Sequence, residues 1–518
     1  MRRALAAALA GALVAAGGAP LAFGALTWLA PAALLFALDT PRPASARGSL
    51  LLGLATGVVA NALSMYWVVG VLGRFGGFPL PLALLLAALL WLAQSLPFVV
   101  AAWLAAALMR AGARGWLVLP AALTVAGSLA PMIFPWRYGV SQLAFLEVAQ
   151  VAELGGLPLL DGLVATAGCG ALTALRERRL VPALVAALAL GLPALYGAAR
   201  LPAVRAAREA APLLRVGVAQ PNVSIEDKHE PRRFLAQLAL LHAQTRALEA
   251  AGAELVVWPE TAYRFPIPRG AARDREGALA IRGPGVRGPL LVGALTTDGP
   301  PARYRALDAL GRTVAVFEMG EEARYNSAVA VDADGRIGGV ADKVHPLAFG
   351  EHTPLWEVIP WLRALPRGIA PGEGPQVLEL AGARIGVLNC YEDLLAEHVV
   401  WQARSAPELL VNVTNDAWFG DTSAPHLHHM NARMRAIETR RDLVRAVNTG
   451  VSGHTAASGE DLARTRPFEE AAFVADARRL RGRTPYVIVG DWPAAGAAGA
   501  LLALALARRR RGRSARPR

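Results

Sequence analysis

The stretch 383-ARIGVLNCYED-393 decides how the second half of this 518-residue chain is read. Its first part is small, apolar and β-compatible, the pattern of a buried strand. It then stops at Cys390, followed at once by Tyr391, Glu392 and Asp393. A side chain at a strand end can be held rigidly and still reach an open cleft. Comparable runs lie on both sides: L-L-R-V-G-V-A-Q, E-L-V-V-W, L-L-V-G-A-L, Y-N-S-A-V-A-V and L-L-V-N-V-T. They alternate with helical patterns at 231–251 and 425–443. The spacing predicts an α/β domain over 212–485, its sheet covered by helices.

Upstream the character differs. Residues 1–200 are apolar runs at about 4–18, 20–38, 49–71, 79–109, 115–134, 157–176 and 180–198. The first could pass for a signal peptide, but six further runs predict a seven-span membrane domain. The composition agrees: 54% of residues are hydrophobic while only 7% are aromatic, an excess supplied by Ala and Leu. Arginines gather in alternate loops, at Arg2 and Arg3, Arg42 and Arg47, Arg110 and Arg114, and Arg176, Arg178 and Arg179. Cytoplasmic loops carry such an excess, so residue 200 is expected outside. A last apolar run at 486–507 returns the chain to a basic tail, 508–518, with seven arginines. The net charge of +13 is partly that tail. Beside an apolar helix it reads as a cytoplasmic anchor rather than a nucleic-acid patch.

Two cysteines, Cys169 and Cys390, exclude a disulfide framework, and no metal-ligand spacing involves them. Cys169, in G-C-G within the sixth run, reads as a packing residue. Of 53 basic residues only Lys228 and Lys343 are lysine. Three strand ends then offer complementary chemistry. V-V-W-P-E-T carries Glu260 after a proline expected to stop the strand, A-D-K-V-H carries Lys343, and the opening stretch carries Cys390. A thiol of pKa about 8.5 is a poor nucleophile at neutral pH until its proton is removed or its anion stabilised. Glu260 can accept that proton, and Lys343 can favour the thiolate and then an oxyanion. Each has an ordinary alternative: a packed cysteine, a helix cap, a solvated lysine. The three together favour a site.

These motifs, W-P-E-T, D-K-x-H…F-G-E and G-V-L-x-C-Y-E-D, resemble the Glu-Lys-Cys signatures of the carbon–nitrogen hydrolase (nitrilase) superfamily. With the multi-span N-terminus, N-V-T-N-D-A-W-F-G at 412–420 and one C-terminal span, the whole chain resembles that superfamily's membrane branch, the apolipoprotein N-acyltransferases. The resemblance implies an αββα sandwich on the periplasmic face of the bacterial inner membrane. It implies Glu260 as general base, Lys343 as oxyanion stabiliser and Cys390 as nucleophile. Glu351 and Glu392 match further acidic positions, Asn326 a motif asparagine, and Tyr391 the residue whose backbone N–H helps hold the oxyanion. The implied reaction moves a fatty acyl group from a glycerophospholipid, through a Cys390 thioester, to the amine of a diacylated apolipoprotein. No cofactor, metal or nucleic acid is implied, and a monomer is expected. The chain departs from the family in H-P-L-A-F-G-E, where the proline is displaced, in His229 or a neighbour standing where an aromatic is common, and in Asn389 before the nucleophile.

His426, His428 and His429 beside Asp416 and Asp421 invite a metal reading, but adjacent histidines on a helix diverge. Trp356 and Trp361, in an apolar stretch at 353–366, are read as a lipid-facing loop, and Asp491-Trp492 as an interfacial anchor. Two rivals remain. A membrane-tethered amidase or nitrile hydrolase would use the same three residues with water as acceptor. A transporter would need paired charges within its spans, which the sequence scarcely offers.

Overall fold

The period-two alternation appears in the sandwich as two faces of one strand. Leu255 and Val257 enter the core between two sheets, while Val256 and Trp258 pack on the other side with Leu238, Leu241 and Leu248 of helix Phe234–Ala250. The computed structural model describes all residues except Pro41, Pro354, Leu355, Glu357, 359–367 and 515–518, with the backbone alone at 509–514. It divides into two units. A helical unit comprises Met1–Val204, Thr422–Glu438 and Thr484–Arg518, and an α/β unit comprises Arg205–Asp421 and Thr439–Arg483.

The α/β unit contains, in chain order, β1 (Leu213–Gln220), β2 (Leu255–Pro268), β3 (Leu290–Asp298), β4 (Pro301–Leu307), β5 (Thr313–Gly320), β6 (Ala323–Val331) and β7 (Ile337–Asp342). They are followed by β8 (Val377–Leu380), β9 (Ala383–Asn389), β10 (Leu409–Thr414), β11 (Leu443–Val447), β12 (Gly453–Thr455), β13 (Asp461–Arg464) and β14 (Ala471–Arg478). One six-stranded sheet runs β14-β1-β2-β3-β6-β7 and the other β13-β12-β11-β10-β9-β8, with β4 and β5 paired apart. Each sheet has three parallel strands at its centre, β1, β2 and β3 or β9, β10 and β11, flanked by antiparallel ones. Val216, Val218 and Leu291 of the first sheet share a core with Ile385, Val387, Val411 and Val444 of the second. This is the expected α/β sandwich.

Pro259 does not stop its strand. β2 continues to Pro268, with its pairing to β3 interrupted between Trp258 and Tyr263. A proline cannot donate to the ladder, and an irregular register is where a strand tolerates one.

In the helical unit four helices are long and apolar enough to cross a membrane: Ala46–Ser64, Leu80–Arg110, Ala152–Glu177 and Leu180–Ala210. Gly24–Leu38, Gly115–Leu129 and Trp492–Arg508 are shorter apolar helices. Alanines let neighbours approach closely: Ala101, Ala102, Ala105 and Ala106 of helix Leu96–Arg110 are all buried. Helix Ala152–Glu177 breaks at Gly156, where φ is +63° and a Cβ would lie 2.4 Å from the Tyr486 ring. The helix expected over 425–443 spans Ala424–Thr439, and its Met430, Met434 and Ile437 pack with Val140, Val151 and Leu160. His426, His428 and His429 lie on it.

The helical unit includes two ion pairs of whose four residues only Asp161 lies within the apolar runs read from the sequence. Asp161 meets Arg137 at 2.7 Å and Glu153 meets Arg200 at 2.6 Å. Each pair joins residues too distant in sequence to be recognised there.

Candidate active site

Three elements of the α/β unit bring the predicted groups together. Glu260 sits in the irregular part of β2, Lys343 follows β7 directly, and Cys390 follows β9. The bulged backbone at 259–260 passes over Gly293 of β3, where a Cβ would stand 2.0 Å from the Pro259 carbonyl oxygen. Only glycine leaves room for that crossing. Cys390 has φ +51°, a left-handed conformation at the first residue of a short 3₁₀ helix, Cys390–Leu394. Such strain in a non-glycine residue is typical of functional turns.

Lys343 is buried between two carboxylates. Its Nζ lies 3.2 Å from Glu260 Oε1 and 2.6 Å from Glu351 Oε2. Asn326 Nδ2 donates to both acids, at 2.6 Å to Glu260 and 3.0 Å to Glu351. Burial alone would pull the ammonium down, but Glu260 and Glu351 outweigh it and hold its pKa well above the ordinary lysine value. Cys390 interacts electrostatically with Glu260, Lys343, Asp416 and Glu351. Burial first, then Glu260, push its thiol well above the ordinary range, against the opposing pull of Lys343. Lys343 lies against its two acids, and the resting sulfur is a thiol.

Glu392 ties two of these loops together. Its Oε1 accepts the backbone N–H groups of Val344 at 2.6 Å and His345 at 3.1 Å, and its Oε2 accepts that of Asn389 at 2.8 Å. Burial pushes Glu392 up, but His398 and these backbone donors outweigh it and leave the carboxyl below its usual range. Asp393 pairs with the buried Arg445 of β11. Asn389, the departure before the nucleophile, donates its side-chain amide to the Ala341 carbonyl of β7 at 3.2 Å. Tyr391 is half-buried, its phenol pushed up to about 12 by burial. Among the described residues no group of three or more His, Cys, Asp or Glu is placed to hold a metal.

Two models of known families match the chain. One is described as apolipoprotein N-acyltransferase N-terminal domain, over residues 10–170, and the other as carbon-nitrogen hydrolase, over 215–479. Apolipoprotein N-acyltransferase of Azotobacter vinelandii is 34% identical, the alignment covering 98% of this chain and 95% of that protein. That of Geobacter metallireducens is 31% identical, with 94% and 91% covered. The chain belongs to the apolipoprotein N-acyltransferase family. Both halves of the resemblance, the nitrilase-like sandwich and the membrane helices, are those of this family, and the amidase alternative is not favoured. An amidase of the nitrilase superfamily from Nesterenkonia aligns over 52% of this chain and 93% of its own, at 19% identity and TM-score 0.37.

Sequence reading missed three residues that the structure brings to this candidate site. Asn412 of β10 donates to the carbonyls of Leu388, at 3.2 Å, and Cys390, at 3.1 Å. Gly293 had no signal beyond being a glycine inside a strand. Lys228 did have one, as the second of only two lysines. It is buried, with Nζ donating to the Glu260 carbonyl oxygen at 2.8 Å. Of the expected lipid-facing pair, Trp356 is half-buried and Trp361 lies outside the described residues.

Proposed function

We propose that this chain transfers a fatty acyl group from a glycerophospholipid, through a thioester on Cys390, to the N-terminal amine of S-diacylglyceryl-cysteine on lipoproteins. The observation that carries the reading is the buried Glu260–Lys343–Glu351 cluster acting on Cys390. Because the thiol rests protonated, its proton leaves as the sulfur attacks. Glu260 takes it as general base while the new S–C bond forms at the lipid ester. Lys343 and the backbone N–H of Tyr391 hold the oxyanion, with about 3–4 kcal/mol at stake when one such donor is lost. The C–O bond breaks, and lysophospholipid leaves with the proton from Glu260. The lipoprotein amine then attacks the thioester, Glu260 accepts its proton, and the sulfur departs and is reprotonated. Glu351 and Asn326 hold Lys343 and Glu260 in place, and Glu392 holds the two loops.

Seven spans over 1–200 and an eighth over 486–507 would keep the catalytic domain, 212–485, on the periplasmic side with the tail, 508–518, in the cytoplasm. Trp356 and Trp361 would face lipid. Phe349 and Val358, 78% and 73% exposed in the same stretch of sequence, support an apolar surface. The protein acts as a monomer. Mass spectrometry of Cys390 after incubation with phospholipid tests the reading. A fatty acyl adduct is expected, discharged by a diacylated lipopeptide and absent in Cys390→Ala. An adduct persisting in Cys390→Ala would remove Cys390 as nucleophile.

A further inference from the structure

Lys228 interacts electrostatically with Cys390, Glu260 and Arg264. Lys228 is 4% exposed, and its ammonium, which has three donors, makes one hydrogen bond among the described residues, to the Glu260 carbonyl oxygen. Arg264 stacks over the Phe234 ring at 5.1 Å and donates at 3.3 Å to the Thr261 carbonyl, while its buried Nε has no partner. Among the described residues neither cation is in an ion pair with a carboxylate. Elsewhere in the same unit, Lys343, Arg208 and Arg445 each lie against one. For Lys228 the nearby Glu260 charge does not offset burial. Burial, then the charge of Arg264, bring Lys228 down to about 7, and burial brings Arg264 down to about 10. Two buried like charges are unfavourable unless an anion joins them.

We propose that Lys228 and Arg264 bind the phosphodiester of the acyl donor and so place its ester beside Cys390. A compact ammonium and a planar guanidinium fork together suit a phosphate oxygen cluster. Lys228 interacts electrostatically with Cys390 itself and hydrogen-bonds the backbone of Glu260. In a glycerophospholipid the phosphate is only a few bonds from the reacting esters. The inference rests on the thioester reading above and adds how the donor is recognised.

The test uses the full-length enzyme in detergent micelles and two donors, dioleoyl phosphatidylglycerol and dioleoylglycerol, with Cys390 acylation read by mass. Lys228→Met and Arg264→Gln are compared separately, so that misfolding of one does not decide the matter. Each is expected to lose about ten- to a hundredfold more rate with the phospholipid than with the neutral lipid, the scale of a lost charged hydrogen bond. Inorganic phosphate is expected to slow wild-type acylation from the phospholipid more than from dioleoylglycerol. Equal losses on both donors in both variants would reduce the pair to a structural role and overturn the proposal. A wild-type enzyme that forms no adduct with either donor would instead defeat the thioester reading.

Discussion

Cys390 rests as a thiol because burial and the Glu260 carboxylate oppose ionisation more than Lys343 favours it. Reactivity and catalysis should therefore separate. Glu260→Gln removes a charge that raises the thiol, so its Cys390 should alkylate with iodoacetamide faster than wild type at pH 8. The same variant should form thioester from phospholipid at least about a hundredfold more slowly, having lost its general base. Slower alkylation would mean Glu260 does not act on the sulfur through its charge. Lys228 yields a stability prediction of opposite sense to its function. Its pKa falls from 10.5 to about 7 on folding, so below pH 7 both folded and unfolded chains hold the proton and the burial cost is complete. Between about 7 and 10.5 the unfolded chain holds a proton that the folded one lacks, and stability rises with pH. Lys228→Met should thus raise the melting temperature most at pH 6 in phosphate-free detergent, with the gain shrinking toward pH 10. A gain independent of pH would show that the lysine is not the cause.

At the scale of elements, the site depends on how strand ends are tied to one another. The short helix at Cys390–Leu394 is anchored by the Asp393–Arg445 pair, both side chains fully buried. Asp393→Ala leaves a buried guanidinium uncompensated and should cost about 3–5 kcal/mol in thermal or denaturant unfolding. Gly293→Ala should push the Pro259 carbonyl and displace Glu260. Thioester formation is then expected to fall by an order of magnitude or more while the sandwich stays folded by circular dichroism. The strands themselves were readable, since period-two runs such as L-V-V-W reflect one face in each core. Their interruption was not. Pro259 looks like a terminator in one dimension, and only its pairing with β3 makes it a bulge within a longer strand.

At the scale of the whole molecule, alternating arginine loops predict the side of the membrane on which each loop lies. A periplasm-active reporter fused after residue 210 should be active, and one fused after Arg508 silent. The reverse result would invert the topology. Hydropathy located the apolar helices because a bilayer asks only for length and apolar character, both local properties. Motif spacing picked out Lys343 and Cys390 because each follows a recognisable strand, and Glu260 because it follows the apolar run that opens β2. Folding decided the rest. The Arg137–Asp161 and Glu153–Arg200 pairs, the bridge through Glu392 and the meeting of Lys228 with Glu260 each join residues far apart in the chain. Helix Ala424–Thr439 lies between strands in sequence, yet residues 422–438 cluster with the membrane helices. Local sequence sets which groups a strand end carries. Which of them share a low-dielectric interior, and so change one another's protonation, is set by long-range packing.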